Sequence, residues 1–438
     1  MPKILLSLVL LVAILLSACG QAAPQKAAVP AAPIGQATIE ASRSIVATAK
    51  AEMTKEVLQI TQTFSPSTAE PVGCHTVDIV PSANPTLAAS IPPITANDQI
   101  IGPASAGLTI IEYADFQCPA CAALSSTLNQ LTQADPQDVR IVFRQYPLDG
   151  HNLAMLAAQA SEAAGLQGKF WQMHDLLYLQ QAQWLAKSPA DFKVWLVAEA
   201  QTLGLDGTRF ESDLDSQAVI NKITEEQDGI NSLGIVSGTP FLFLNKIPYP
   251  GRTDLNTLKG LVAFFELPAR ALKCPPLTID LNKRYTATIQ TTKGDIVLQL
   301  FSDKAPMTVN NFIYLVNQGW YTDVPFYRVL PGIVAQTGDP SGTGNGGPGF
   351  EFGLETSPDL KFDKAGIVGM AHTQDVNSNG SQFFITYAPA PNLDGLFTVF
   401  GQVIQGMDVV KNLTARDPTQ DSTLAAPDTI LNITITEQ

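Results

Sequence analysis

The spacing of apolar side chains divides the chain into stretches of different character. Residues 4 to 18, "ILLSLVLLVAILLSA", are an apolar stretch interrupted only by Ser7 and Ser17, and residues 20 to 36, "GQAAPQKAAVPAAPIGQ", almost lack large apolar side chains. From Ala37 to about Phe64 the spacing of Ile39, Val46, Met53, Val57 and Ile60 predicts a helix, which Pro66 ends. Residues 66 to 95 return to Pro, Ser and Ala. "LTIIEYADF" then reads as a buried central strand, residues 152 to 166 and 169 to 181 as helices, and "TPFLFLN" at 239 to 245 as another strand. After "LKCPPLTID" the period changes: "YTATIQTTKGDIVLQLF" alternates apolar and polar residues around a Lys-Gly turn, as a hairpin does. One helix follows, roughly Thr308 to Gln318, with Thr308 as N-cap and Gly319 as its stop. Short strands between Gly/Pro/Asn turns complete the chain.

The pattern defines an order of parts: a signal over 1–18, a tether with a helix and a Pro/Ala-rich linker over 19–97, an α/β domain over 98–273, a joint over 274–284 and a β-rich domain over 285–438. The leading run is too short for a confident membrane span and reads as a secretory signal. It closes on Leu16-Ser17-Ala18-Cys19, which resembles the bacterial lipoprotein lipobox. That resemblance implies a diacylglyceryl group on Cys19, cleavage before it, and a chain exported and anchored by lipid to the outer face of a cell-envelope membrane.

Composition narrows the partners. The chain has 438 residues, 45% of them hydrophobic, enough for two or three cores, and a formal net charge of -14 with no Lys/Arg block. Nucleic acid is therefore excluded as an expected partner. Of five cysteines, Cys19 goes to the lipid. Cys118 and Cys121 form a C-x-x-C pair that fits half of a zinc site, a closed structural disulfide, or a redox centre. Zinc lacks a second ligand pair, because His75, His151, His174 and His372 are scattered. A helix starting at Cys118 would place Pro119 at its first position and turn free N–H groups toward the Cys118 sulfur, favouring a thiolate nucleophile with Cys121 as resolving thiol. Asp115 reads as a solvated strand-end acid, with a proton-acceptor role as the alternative. Cys74 and Cys274 either pair, closing a loop that chain entropy values at roughly 5 kcal/mol, or stay as free thiols.

"GPASAGLTIIEYADFQCPAC", followed much later by "GTPFLFLN", resembles the DsbA-like branch of the thioredoxin-fold oxidoreductases over about 98 to 270. The resemblance implies a thioredoxin-like α/β fold with a helical insertion between Cys121 and Thr239, and a cis-proline at Pro240, preceded by Thr239, facing the cysteines. Pro119-Ala120 stands where well-known members carry a histidine, which implies a weaker oxidant.

"FYRVLPGIVAQTGDP", "GMAHTQDVNSNGSQFFIT" and "LDGLFTVFGQV" together resemble cyclophilin-type peptidyl-prolyl isomerases from about Tyr285 to the end. This implies an eight-stranded antiparallel barrel capped by two helices. It implies catalytic roles for Arg328, donating toward the prolyl nitrogen, for Gln336, on the substrate backbone, and for Phe384. Ile333, Val334, Leu393 and Phe397 fall at pocket positions, and Ala371 and His372 on the groove edge. Ile333 and Val334 replace a frequent Phe-Met, Phe397 a frequent histidine and Asn392 a frequent tryptophan, which implies altered selectivity and weak cyclosporin binding.

The combined expectation is a folding factor of the cell envelope that isomerises prolyl bonds and exchanges disulfides, needs no cofactor or metal, and acts on unfolded exported polypeptides with an unidentified redox partner. A membrane-anchored chaperone and a thiol reductase for metal or haem assembly are the alternatives. Oxidation, reshuffling and reduction stay open as directions of exchange.

Overall fold

The computed structural model describes residues 73–421 and 424–438. The apolar leader, Cys19, the tether and the helical pattern over 37–64 lie outside them. Among the described residues no helix is long and apolar enough to cross a membrane.

The chain opens with β1 (His75–Thr76) and α1 (Pro85–Ser90), whose N-cap Asn84 accepts the N–H groups of Thr86 and Leu87. Next come β2 (Gln99–Ile101), β3 (Leu108–Ala114), α2 (Pro119–Ala134) and β4 (Val139–Gln145). A helical insertion follows: α3 (Ala154–Gly165), α4 (Phe170–Leu179), α5 (Gln181–Trp184), α6 (Pro189–Thr202), α7 (Gly207–Leu214) and α8 (Gln217–Asn231). Then β5 (Phe241–Leu244), β6 (Ile247–Tyr249) and α9 (Leu255–Glu266) close the first domain. Its sheet has the order β2-β4-β3-β5-β6, with β3 and β4 parallel and the other pairs antiparallel. The apolar run of β3 is explained by cover on both faces. Leu108 and Ile110 pack with Leu124 and Leu128 of α2 and Leu258 of α9, while Ile111 and Tyr113 pack with Ile91, Ile230 and Ile235.

Ile91 belongs to the stretch expected to be loose linker, and over residues 73–97 that expectation is corrected. Prolines remove N–H donors but leave carbonyls to satisfy, and buried Arg144 takes them. Its guanidinium donates to the carbonyls of Pro92 (3.0 Å) and Pro93 (2.9 Å), to the Tyr113 hydroxyl and to Asp98 Oδ1 (2.7 Å). Residues 73–97 are thus a strap laid across the molecule.

The second domain is β7 (Tyr285–Thr291), β8 (Gly294–Leu300), α10 (Pro306–Asn317), β9 (Val324–Pro325), β10 (Arg328–Leu330), β11 (Val334–Thr337), β12 (Phe350–Glu351), β13 (Ile367–Met370), β14 (Phe383–Thr386), β15 (Val399–Gln405), α11 (Met407–Lys411) and β16 (Thr429–Glu437). Nine strands form one antiparallel sheet in the order β10-β11-β14-β13-β15-β8-β7-β16-β9. Its two edge strands, β9 and β10, are separated only by Phe326 and Tyr327, so the sheet curls on itself. That interruption makes nine strands where eight were expected. The N-cap of α10 is also corrected. The helix begins one turn earlier, after Ala305, and Glu355 takes the N–H groups of Met307 (2.9 Å) and Thr308 (2.6 Å) and the Thr308 hydroxyl. A carboxylate at a helix N-terminus does electrostatically what a capping hydroxyl does, so Thr308 is left buried inside the first turn.

The two domains are packed together. Phe264 and Leu267, at the end of α9, are buried in the core of the second domain. A Cβ at Gly260 would lie 3.0 Å from the Ser341 carbonyl oxygen, which brings α9 against the loop of residues 341–349. On the other side β1 pairs with β12, Val77 N–H donates to the Gly349 carbonyl (3.0 Å), and Cys74 is disulfide-bonded to Cys274 across 200 residues.

Candidate active sites

At the first site, α2 starts where the sequence pattern put it: Cys118 is the N-cap and Pro119 the first helical residue. Both cysteines are free and buried, Cys121 completely and Cys118 7% exposed. The Cys118 sulfur lies 3.4 Å from the carbonyl oxygen of Thr239, and the Thr239–Pro240 peptide bond is cis. Cys118 is pulled down from the ordinary 9.0 to about 5, chiefly by a hydrogen bond from the Cys121 thiol. Burial opposes this, and Thr239 with the N–H groups of Cys121 and Ala120 at the helix start adds to it. Cys121 is pushed far up by the same hydrogen bond and by burial. Of the two sulfurs, Cys118, the less buried, is thus the one favoured as thiolate, and Cys121 the one that keeps its proton.

The sequence reading placed Asp115 in solvent, and the structure corrects it. Asp115 is 1% exposed and accepts the N–H groups of Gln117 (2.6 Å) and Leu148 (2.9 Å) and His151 Nδ1 (2.7 Å). Because β3 runs straight into α2, position 115 lies beneath the 146–151 turn, where its carboxylate anchors the loop. The acid that reading missed is Glu112. It is fully buried on β3, its Oε1 has no hydrogen-bond partner, and burial raises its pKa from 4.5 to about 8. Its charge is felt at Cys121, which it pushes further up. An acid in the middle of "LTIIEYA" was the available signal. The helical insertion also reaches the site: Gln181 Nε2 donates to the carbonyls of Phe116 (2.8 Å) and Cys118 (3.2 Å), clamping the turn before α2.

The second site is made by register. Arg328 on β10 faces Gln336 on β11, and Gln336 faces Phe384 on β14. Directly opposed residues project to the same face, so three residues distant in sequence form one row across the sheet. Arg328 is 6% exposed, its Nε has no partner, and burial pulls its pKa down, although a guanidinium stays charged at neutral pH. Gln336 is held by Gln382: its Nε2 donates to Gln382 Oε1 (3.3 Å), which also accepts the Tyr327 hydroxyl. Gln382 Nε2 in turn donates to the carbonyls of Gly344 (2.9 Å) and Gly346 (3.0 Å). That loop winds around buried Asp339, which accepts the N–H groups of Ser341, Gly344 and Gly346. A Cβ at residue 346 would sit 2.0 Å from Asp339 Oδ1, so the winding needs glycine there.

Val334, Phe384, Leu393 and Phe397 are buried in one apolar cluster with Ala371 at its edge. Phe397 stacks on His372 with ring centres 4.5 Å apart and meets Phe384 edge-on at 5.5 Å. Ile333 is not among them: it is 46% exposed after the Pro331-Gly332 turn. Arg328, Gln336, Ala371, His372 and Phe397 line a cleft of about 1200 Å³ that runs between the domains.

A curled antiparallel sheet thus sets a desolvated arginine and a glutamine in one row beside an apolar floor. It defines a peptidyl-prolyl isomerase joined to a thioredoxin-like domain. Residues 286–435 match the family model described as cyclophilin type peptidyl-prolyl cis-trans isomerase, and residues 95–263 match the one described as thioredoxin. Peptidyl-prolyl cis-trans isomerase-like 1 of Gibberella zeae is 46% identical over 128 residues, covering 28% of this chain and 78% of that protein. Peptidyl-prolyl cis-trans isomerase cypE of Dictyostelium discoideum is 45% identical over 139 residues, covering 31% and 88%. Against peptidyl-prolyl cis-trans isomerase-like 2 of Rhizopus delemar the identity is 48%, and the chain spans 25% of that relative's length. A solved cyclophilin-type isomerase of Cryptosporidium parvum is 35% identical, covering 35% of this chain and 98% of that one, with a TM-score of 0.33. The chain belongs to the cyclophilin-type peptidyl-prolyl cis-trans isomerases.

Proposed function

We propose that this chain is a folding factor that isomerises prolyl bonds at Arg328 and exchanges disulfides at Cys118, exported to the cell envelope and anchored there by lipid on Cys19. A prolyl amide resists rotation because the nitrogen lone pair is delocalised, a barrier of about 18–20 kcal/mol. The Arg328 guanidinium, donating toward that nitrogen, draws the lone pair back as the amide twists, while Gln336 holds the substrate backbone and the Val334, Phe384, Leu393 and Phe397 floor takes the proline ring. Each tenfold acceleration requires about 1.4 kcal/mol of preference for the twisted state.

In exchange, the Cys118 thiolate attacks one sulfur of a substrate disulfide, forming a mixed disulfide and expelling the other sulfur as a thiolate, which takes a proton. Cys121 then loses its proton to solvent and attacks the Cys118 sulfur, expelling the substrate's remaining sulfur as a thiolate and leaving a Cys118–Cys121 disulfide and a reduced substrate. The reverse sequence oxidises a substrate dithiol. The observation that carries this reading is geometric: two free cysteines, Cys118 at the start of α2 and Cys121 one turn on, with the Cys118 sulfur beside the cis Thr239–Pro240 bond. The Cys74–Cys274 disulfide and the leader ending at Cys19 support an oxidising, exported setting. The test is insulin reduction and dithiol-peptide oxidation by purified protein: activity in either direction is expected, and failure in both would remove the exchange function. Holdase activity surviving both Cys118→Ser and Arg328→Ala would favour an anchored chaperone instead. Labelling with radioactive palmitate, lost in Cys19→Ser, checks the anchor.

A further inference from the structure

The cleft that contains the prolyl site has a second wall, and the thioredoxin-like side of the molecule supplies it. Opposite Arg328 and Gln336 stand Ile79 and Leu87 of the strap, Leu233 after α8, Ile247 and Tyr249 of β6, and Phe265 of α9. This wall is largely apolar, with Asp78, Asn84, Thr86 and Ser232 as polar points along it, and the volume of about 1200 Å³ exceeds the roughly 300–1,000 Å³ of small-molecule sites. β6 is the edge strand of its sheet, and Pro248 at its centre has no N–H to offer a visiting strand. A chain in the cleft is therefore gripped by side chains and not fixed in register, which suits many sequences. The wall is rigid, being tied to the second domain through Phe264, Leu267 and the Cys74–Cys274 bond. With a volume of about 1200 Å³ between two fixed walls, the cleft has room for an extended chain threaded past Arg328.

We propose that the thioredoxin-like domain and its strap form the far side of the isomerase groove, so that the substrate is proline within an extended, apolar, unfolded polypeptide. The proposal rests on the prolyl-isomerase reading above and adds its substrate class.

Full-length protein is compared with Ile247→Glu and Leu233→Glu, two substitutions on different elements of the far wall. The substrates are an Ala-Pro tetrapeptide and a carboxymethylated protein whose refolding is limited by prolyl isomerisation. The ratio of kcat/KM for the long chain to that for the tetrapeptide is expected to fall at least tenfold in both variants. An unchanged ratio in both would overturn the proposal. Binding of the same unfolded chain, followed by fluorescence anisotropy, should weaken about tenfold in parallel. If wild-type protein turned over neither substrate but showed this weakening, the isomerase reading would fail and the wall would stand. A synthetic peptide of residues 20–36 that bound more tightly than the unfolded chain would make this chain's own tether the occupant and overturn the proposal.

Discussion

The two sites obtain their reactivity in opposite ways. At Cys118 the chemistry is largely local: a helix start and a thiol one turn on act on one sulfur. At Arg328 nothing nearby in sequence suffices, and function depends on three strands keeping register, since a slip of one residue would send Gln336 to the other face. A charge can thus be activated by a single turn of backbone, whereas a groove has to be assembled from distant parts.

The sharpest break of this comparison is Cys118→Ser, which should abolish disulfide exchange in the insulin assay. If it also slowed isomerisation as much as Arg328→Ala does, the sites would be one machine rather than two. Arg328→Ala should lower kcat/KM for prolyl isomerisation tenfold or more, a loss of at least about 1.4 kcal/mol of transition-state preference. Alkylation of reduced protein by iodoacetamide should show a half-maximal rate near pH 5 instead of near the ordinary thiol value of 9.0, because only the thiolate reacts. A profile centred near 9 would contradict Cys118 as the favoured thiolate.

The smallest effect concerns Glu112. Its folded pKa of about 8 lies above the ordinary 4.5, so its contribution to stability is complete below 4.5 and is lost as pH rises toward and through 8. Glu226, also raised to about 8, acts with the same sign. Measured on the protein with Cys118 and Cys121 oxidised, where neither thiol titrates, the decline in urea-unfolding stability between pH 5 and 8 should be shallower in Glu112→Gln. The change is bounded by about 1.4 kcal/mol per pH unit for one group.

Much of the thiol site was legible in the sequence, because Pro119 and the apolar run before it specify a strand ending in a helix start. Glu112 was visible as an acid in that run, but its significance depends on cover from both faces, which a strand pattern alone does not locate. The prolyl row was legible only through its resemblance to a family, since spacing does not state which strands pair. Ile333 shows the same limit: alternation along a strand puts Val334 inside, while the turn beside it decides that Ile333 faces water. The strap was misread as linker because its carbonyls are satisfied by Arg144, which lies about fifty residues further on.

The Cys74–Cys274 bond also alters how the chain carries load. Tension applied between the segment before Cys74 and the second domain passes through the disulfide to residue 274 and bypasses the 199 residues between the two cysteines. If the chain is tethered at its beginning and pulled through the second domain, that load does not run along the backbone that carries Cys118 and Cys121.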